Sequence, residues 1–283
     1  MVHGGGNWLS GRGGWDRVPG LGGYVLGGEQ ITMRAQNQLL HSRTRVKPRY
    51  AVFPLEGVPF SRLPAWKNTE ARILAAPVLG ATFVEYLLEI KAGGGTKAGA
   101  DGRVETFFYV LAGRVTLTIG KGKAQVLAAG GYALIPPTES YVFRATVASR
   151  VIMLKKVYEP APGIAMFAPL VGNQSRVNGD VYCGDKGARL QLLIPDQLQY
   201  DLAMNIFTFE TGHSLPYVET HVMEHGLYFL QGKGVYYLDD AWMEVEATDF
   251  IWMGPYVPQS YYATGPVASR YIYYKNVNRD IAL

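Results

Sequence analysis

The sequence predicts an all-β protein of two tandem β-barrels, and three observations carry that expectation. A chain of 283 residues is long for one average domain but fits two units of roughly 100 to 150 residues, each able to enclose a core. Its composition, with 34 Gly, 19 Tyr, 12% aromatic and only 18% charged residues, favours short strands and tight turns over long surface helices. Third, the chain repeats itself. Glu105-Thr106-Phe107-Phe108-Tyr109-Val110-Leu111-Ala112-Gly113 returns as Glu224-His225-Gly226-Leu227-Tyr228-Phe229-Leu230-Gln231-Gly232, an offset of 119 that Pro136 and Pro255 keep. Val147-Ala148-Ser149-Arg150 recurs as Val267-Ala268-Ser269-Arg270 after a slip of one residue.

Taken in order, residues 1–46 are Gly-rich, then polar and basic, with no sustained period of 2 or 3.6. They read as a flexible extension. Residues 47–165 form a first unit and residues 166–283 a second, with ordered sequence starting near Tyr50. Within the first, Val115, Leu117 and Ile119 alternate with Thr116 and Thr118, a strand period. Gly113 and Gly232 fall at turns, and each unit becomes several short strands separated by Gly or Pro, a sandwich or barrel rather than a βαβ fold. The polar tail Asn278-Arg279-Asp280 closes the last strand.

Charge and cysteine usage exclude several function classes. The net charge of +4 is partly a basic run, Arg43 to Arg49, which reads as a solvated tail and not a nucleic-acid site. No run of about 18 apolar residues predicts a membrane span. The first 28 residues hold eleven Gly and lack the basic-then-apolar order of a secretion signal, which points to the cytoplasm. Cys183 is the single cysteine, so there is no internal disulfide, and it reads as a small apolar side chain.

Of five histidines, His213, His221 and His225 lie within thirteen residues. On a strand, Glu219 and His221 point to one face, and His225 follows four residues later after a bend. The repeat directs the search for a fourth ligand to the turn Gly254-Pro255-Tyr256-Val257-Pro258-Gln259, where Gln259 offers an amide oxygen. The layout Glu-x-His-x-x-x-His, six residues, Gly, then Pro-x-x-x-Gln resembles the two cupin motifs, which implies a bicupin: two double-stranded β-helix (jelly-roll) barrels in tandem. At an offset of 119 the first unit carries Ala100, Gly102, Thr106 and Ser140, none a good ligand, so it is expected to hold no metal. His213 and Glu224 fall outside the metal set.

Two imidazoles with two oxygens and no thiolate suit Mn²⁺ or Fe²⁺. A divalent ion with one carboxylate leaves a formal charge of about +1, which attracts an anion. Tyr271, Tyr273 and Lys275 share one strand face, and Tyr236 lies on the strand after His225. Facing inward, these groups would recognise a small carboxylate carrying polar groups.

The segment Tyr217-Val218-Glu219-Thr220-His221-Val222-Met223-Glu224-His225-Gly226 resembles the metal segment of the (S)-ureidoglycine aminohydrolase family. Tyr271 to Asp280, and Lys47 to Leu88 with Pro77-Val78-Leu79-Gly80-Ala81-Thr82-Phe83, are similar to that family as well. The resemblance runs from about residue 46 to the end. It implies a Mn²⁺-dependent enzyme of purine (allantoin) catabolism that converts (S)-ureidoglycine and water to (S)-ureidoglycolate and ammonia. It also implies metal ligands Glu219, His221, His225 and Gln259 and substrate contacts Tyr236, Tyr271 and Lys275. Beside that, Glu219, a ligand next to the substrate, and Lys275 are the expected catalytic residues, with Glu219 a substrate contact as well. The partners expected are an anionic ureido small molecule and further copies of the chain in a homo-oligomer. Two competing functions share the ligand logic, a non-haem Fe(II) dioxygenase and a non-catalytic ligand-binding bicupin.

Overall fold

The computed structural model describes residues 42–276 and 278–279, and the backbone of three short strands nearer the start. It divides into two compact units, Met1–Arg43 and Thr44–Leu283. In the first, Asp16–Arg17, Tyr24–Leu26 and Glu29–Ile31 form an antiparallel sheet. The rest of the expected extension before residue 42 lies outside the described residues.

The second unit is built almost wholly of antiparallel strands, and helix among the described residues is limited to three single 3₁₀ turns. None of these is long and apolar enough to cross a membrane. In the later half, eight strands pair in the order Asp180–Tyr182, Asp185–Leu192, Ala203–Phe209, Ser269–Lys275, His225–Gln231, Phe250–Met253, Tyr50–Phe53 and Arg45–Val46. A second sheet, Ala241–Glu246, Lys233–Leu238 and Gln259–Ala263, faces it. Phe207, Phe229 and Tyr271 from the first sheet pack with Tyr236 and Tyr261 from the second, closing a barrel around an aromatic interior. The earlier half repeats this around Phe108, Leu117 and Phe143.

A third core lies between the barrels. Along Ser269–Lys275, Tyr271 and Tyr273 point into the barrel, while Ile272 and Tyr274 join Phe83, Leu87, Tyr109, Ile152 and Tyr228 in the seam. Both faces of these strands are buried, so their alternation sorts barrel from seam instead of apolar from polar. Each half also lends a strand to the other: Tyr50–Phe53 pairs with Phe250–Met253, and Leu170–Asn173 with Gly131–Ile135.

At the edges one expectation changes and one holds. The basic run is not a solvated tail: Arg45–Val46 pairs with Tyr50–Phe53, and Arg49 bonds the Asp239 carboxylate. The order therefore begins before Tyr50. The last strand ends at Lys275, and the polar tail beyond it is held by other loops: Asn278 Nδ2 donates to the Pro195 carbonyl at 3.4 Å and Arg279 to that of Leu198 at 2.9 Å.

The turn glycines of the repeat are structurally matched. Gly113 has φ +88° and Gly232 φ +76°, in the left-handed region. A Cβ on Gly113 would stand 2.5 Å from the Ala148 carbonyl oxygen, and one on Gly232 2.7 Å from that of Ala268. The repeated Ala-Ser of Val-Ala-Ser-Arg is thus what each glycine turn packs against.

Candidate active site

The second barrel opens into a cavity of about 560 Å³ whose lining includes Glu219, His221, His225, Tyr236, Gln259, Tyr271 and Lys275. All seven predicted residues are brought to one space. His225 begins the strand His225–Gln231 and is buried. Its Nδ1 lies 3.0 Å from the Tyr274 carbonyl oxygen, an acceptor that fixes the ring proton there and turns the Nε2 lone pair inward. Burial, with the His221 charge next in size, lowers its pKa to about 3, so the ring is neutral.

Glu219 and His221 were expected on a regular strand; they stand instead on an irregular segment. It touches the strand Gln259–Ala263 at two isolated bridges, Ser214 with Tyr262 and Glu219 with Gln259. Pro216 between them has no N–H to continue a ladder. The Glu219 N–H donates to the Gln259 carbonyl at 2.8 Å and the Gln259 N–H to that of Glu219 at 2.9 Å, fixing the two side chains beside one another.

Three nitrogens converge. His221 Nε2 is 3.2 Å from His225 Nε2 and 3.2 Å from the Gln259 amide nitrogen, while Tyr236 donates to Gln259 Oε1 at 2.7 Å. No placement of protons satisfies all of them. With its proton on Nδ1, His221 turns a lone pair toward that of His225, and the buried Nδ1 has no acceptor among the described residues. With its proton on Nε2, it faces the amide N–H, and Nδ1 becomes a buried acceptor without a donor. A cation between the rings would take both lone pairs, and a half-turn of the amide would present its oxygen, so the donor set fits a metal ion. Glu219 is not drawn into this convergence. Among the described residues no three His, Cys, Asp or Glu side chains meet as a ligand group; Glu219 Oε1 accepts the Tyr182 hydroxyl at 2.8 Å across the same cavity.

Lys275 faces the cavity, half-buried, not the outer surface. Burial lowers its pKa, opposed by the charge of Asp196. Burial also raises the phenols of Tyr236 and Tyr271 well above their usual range, so both remain hydrogen-bond donors.

Sequence reasoning missed Tyr182 and Asn205. Tyr182 is 37 residues from Glu219 and no local pattern marks it. Asn205 carried a signal, as a polar residue within the buried strand Ala203–Phe209; it sits opposite Tyr273 and donates to its hydroxyl at 3.1 Å. His213 stays apart, its Nδ1 2.8 Å from Asp185. Glu224 belongs to the seam, accepting from the Thr82 N–H at 3.1 Å and from Trp252. Cys183 is not a packed apolar side chain; it is exposed in a turn at φ +48°.

The chain is 38% identical over 253 residues to (S)-ureidoglycine aminohydrolase of Escherichia coli K12, a match spanning 88% of this chain and 96% of that one. The chain belongs to the (S)-ureidoglycine aminohydrolase family. The (S)-ureidoglycine aminohydrolase of Arabidopsis thaliana is 32% identical over 84% of this chain and 79% of its own length. No protein-family model matches. Among solved structures, protein Ylba from E. coli superposes with a TM-score of 0.75 at 35% identity, covering 88% of this chain and 99% of that one. Oxalate decarboxylase of Bacillus subtilis, a protein with Mn(II) centres, aligns with a TM-score of 0.65 over 89% of this chain and 85% of its own; at 11% identity it shares the fold alone. This aminohydrolase family member is a bicupin, as its motifs predict.

Proposed function

We propose that this chain releases ammonia from (S)-ureidoglycine with water to give (S)-ureidoglycolate, a step of purine catabolism, using Mn²⁺ held by Glu219, His221, His225 and Gln259. The observation that carries the reading is the convergence of the His221 and His225 Nε2 atoms and the Gln259 amide with Lys275 in one cavity. That convergence occurs in a chain matching 96% of the E. coli enzyme's length.

An ion held by these residues would supply Lewis-acid charge next to the reacting carbon. Lys275 binds the substrate carboxylate through Nζ, and the protonated phenols of Tyr236 and Tyr271 donate to the ureido and carboxylate oxygens. The carbon–nitrogen bond to the α-amine breaks and a carbon–oxygen bond from water forms. Glu219, the one carboxylate among the cavity-lining residues, accepts the water proton and passes it to the leaving nitrogen, which departs as ammonia. The apolar walls, Leu215, Leu227 and Phe207, limit the water that reaches the site.

The test is ammonia release from freshly generated ureidoglycine by Mn²⁺-loaded protein, against chelated protein and Lys275→Ala. Release that needs both the metal and Lys275 is expected; a metal-filled protein that releases none overturns the reading. Oxygen consumption with Fe²⁺ in its place would support a dioxygenase.

A further inference from the structure

The first barrel keeps a cavity where the second has its site. Its volume is about 250 Å³, and its lining includes Asp101, Thr106, Glu139, Tyr141 and Lys155. Strand register shows which positions correspond. Thr106 lies opposite Lys155 as His225 lies opposite Lys275. Tyr141 lies opposite Ile119 as Gln259 lies opposite Leu238, so Tyr141, not Ser140, stands at the place of Gln259. The duplicated cavity has therefore kept the lysine while a hydroxyl replaces the imidazole and a phenol replaces the amide. A threonine hydroxyl and a protonated phenol are both poor metal donors at neutral pH.

What is left is a cavity without the imidazole donors of the second barrel and with charges of both signs. Lys155 is half-buried there. Among the described residues it makes no ion pair, although Lys156 beside it, pointing to the seam, pairs with Asp201 at 2.5 Å. Asp101 Oδ1 caps the Val104 N–H at 3.2 Å, and neither Asp101 nor Glu139 reaches a cation among the described residues. An ammonium and two carboxylates lining one small cavity without touching leave a gap between opposite charges. A ligand with a carboxylate at one end and an ammonium at the other would fill it.

We propose that this cavity binds a small zwitterion of the α-amino-acid type, its carboxylate on Lys155 Nζ and its ammonium toward Glu139 and Asp101. The parallel between Lys155 and Lys275 rests on the role given to Lys275 above; the layout of charges does not. Glycine is the probe, titrated into Mn²⁺-loaded protein by calorimetry, with acetate and methylamine as probes that carry one charge each. Glycine should bind saturably to the wild type and to Lys275→Ala alike, and more tightly than either single-charge probe. Its affinity should fall about tenfold or more in Lys155→Ala and in Glu139→Gln, the loss expected for one charge-assisted contact. Lys155→Ala should keep its ammonia release. No saturable binding to the wild type, equal binding in both first-barrel variants, or loss of binding in Lys275→Ala would each overturn the proposal. Glu139→Gln, which changes no volume, keeps the test open if Lys155→Ala folds poorly. Glycine binding that depends on Lys155 in a protein releasing no ammonia would sustain this site while removing the function proposed above.

Discussion

Tyr182 donates its hydroxyl to Glu219 Oε1 at 2.8 Å, tying the carboxylate of the cavity to the edge strand Asp180–Tyr182. Burial and the Glu219 charge raise the phenol's pKa, so the donor keeps its proton throughout the working range. The contact takes one carboxylate oxygen and leaves the other to the cavity. A hydrogen bond to a charged group contributes about 1.5–3 kcal/mol. Tyr182→Phe should therefore lower kcat about tenfold or more at saturating Mn²⁺, with the melting temperature of the chelated protein little changed because the ring is only half-buried. Steady-state ammonia release checks this, and a wild-type kcat would show that Glu219 needs no such support.

Lys275→Ala separates binding from chemistry. Its Nζ is placed to hold the carboxylate in ground state and transition state alike, so KM should rise about tenfold or more while kcat falls less. Burial holds the ammonium below its usual pKa, so in the wild type KM should climb with alkaline pH earlier than an exposed lysine would allow. Steady-state kinetics at several pH values measure both effects; a kcat loss with unchanged KM would place Lys275 in the chemical step.

The duplication and the ligand spacing made the barrels, His221, His225 and Gln259 legible, because strand periodicity and a repeat are local or fixed-offset signals. Contacts that depend on which strand lies at a sheet edge were not. Tyr182 reaches Glu219 only through sheet order, and the pairing of Tyr50–Phe53 with Phe250–Met253 crosses about two hundred residues. The irregular path of Glu219 and His221 came from Pro216, whose missing N–H outweighs the alternation around it. Counting the repeat at a constant 119 put Ser140 where register puts Tyr141, since the turn before that strand differs in length between the halves.

Glu85 should make stability fall as pH rises. It is buried in the seam, its Oε2 has no hydrogen-bond partner among the described residues, and burial pushes its pKa from 4.5 to about 8. Below pH 4.5 the carboxyl is protonated in both folded and unfolded chains. Above it the unfolded chain loses the proton while the folded chain keeps it, so stability drops until about pH 8 and then levels. The ceiling of this effect is on the order of 5 kcal/mol. Glu85→Gln should flatten that slope and stabilise the protein at pH 8, measured by urea unfolding at pH 5 and pH 8. An unchanged slope would mean that Glu85 ionises normally in the seam.

Gly232→Ala tests the turn that both halves share. Positive φ at this position costs an L-residue about 1 kcal/mol by itself. The added Cβ would also stand 2.7 Å from the Ala268 carbonyl oxygen and 2.7 Å from Ser269 Cα, both backbone atoms that cannot rotate aside. Ser269 is fully buried and accepts from Tyr261, and the next strand residues lead to Tyr271 and Lys275. The substitution should therefore cost roughly 2–4 kcal/mol of stability and loosen the cavity wall, raising KM as well. Gly113→Ala meets the matching carbonyl in the first barrel at 2.5 Å and should cost a similar amount while leaving KM unchanged, because Ser149–Val157 lines no part of the catalytic cavity. Thermal unfolding and KM measured on the two variants together decide it: equal effects on KM would show that the barrels are mechanically coupled through the seam.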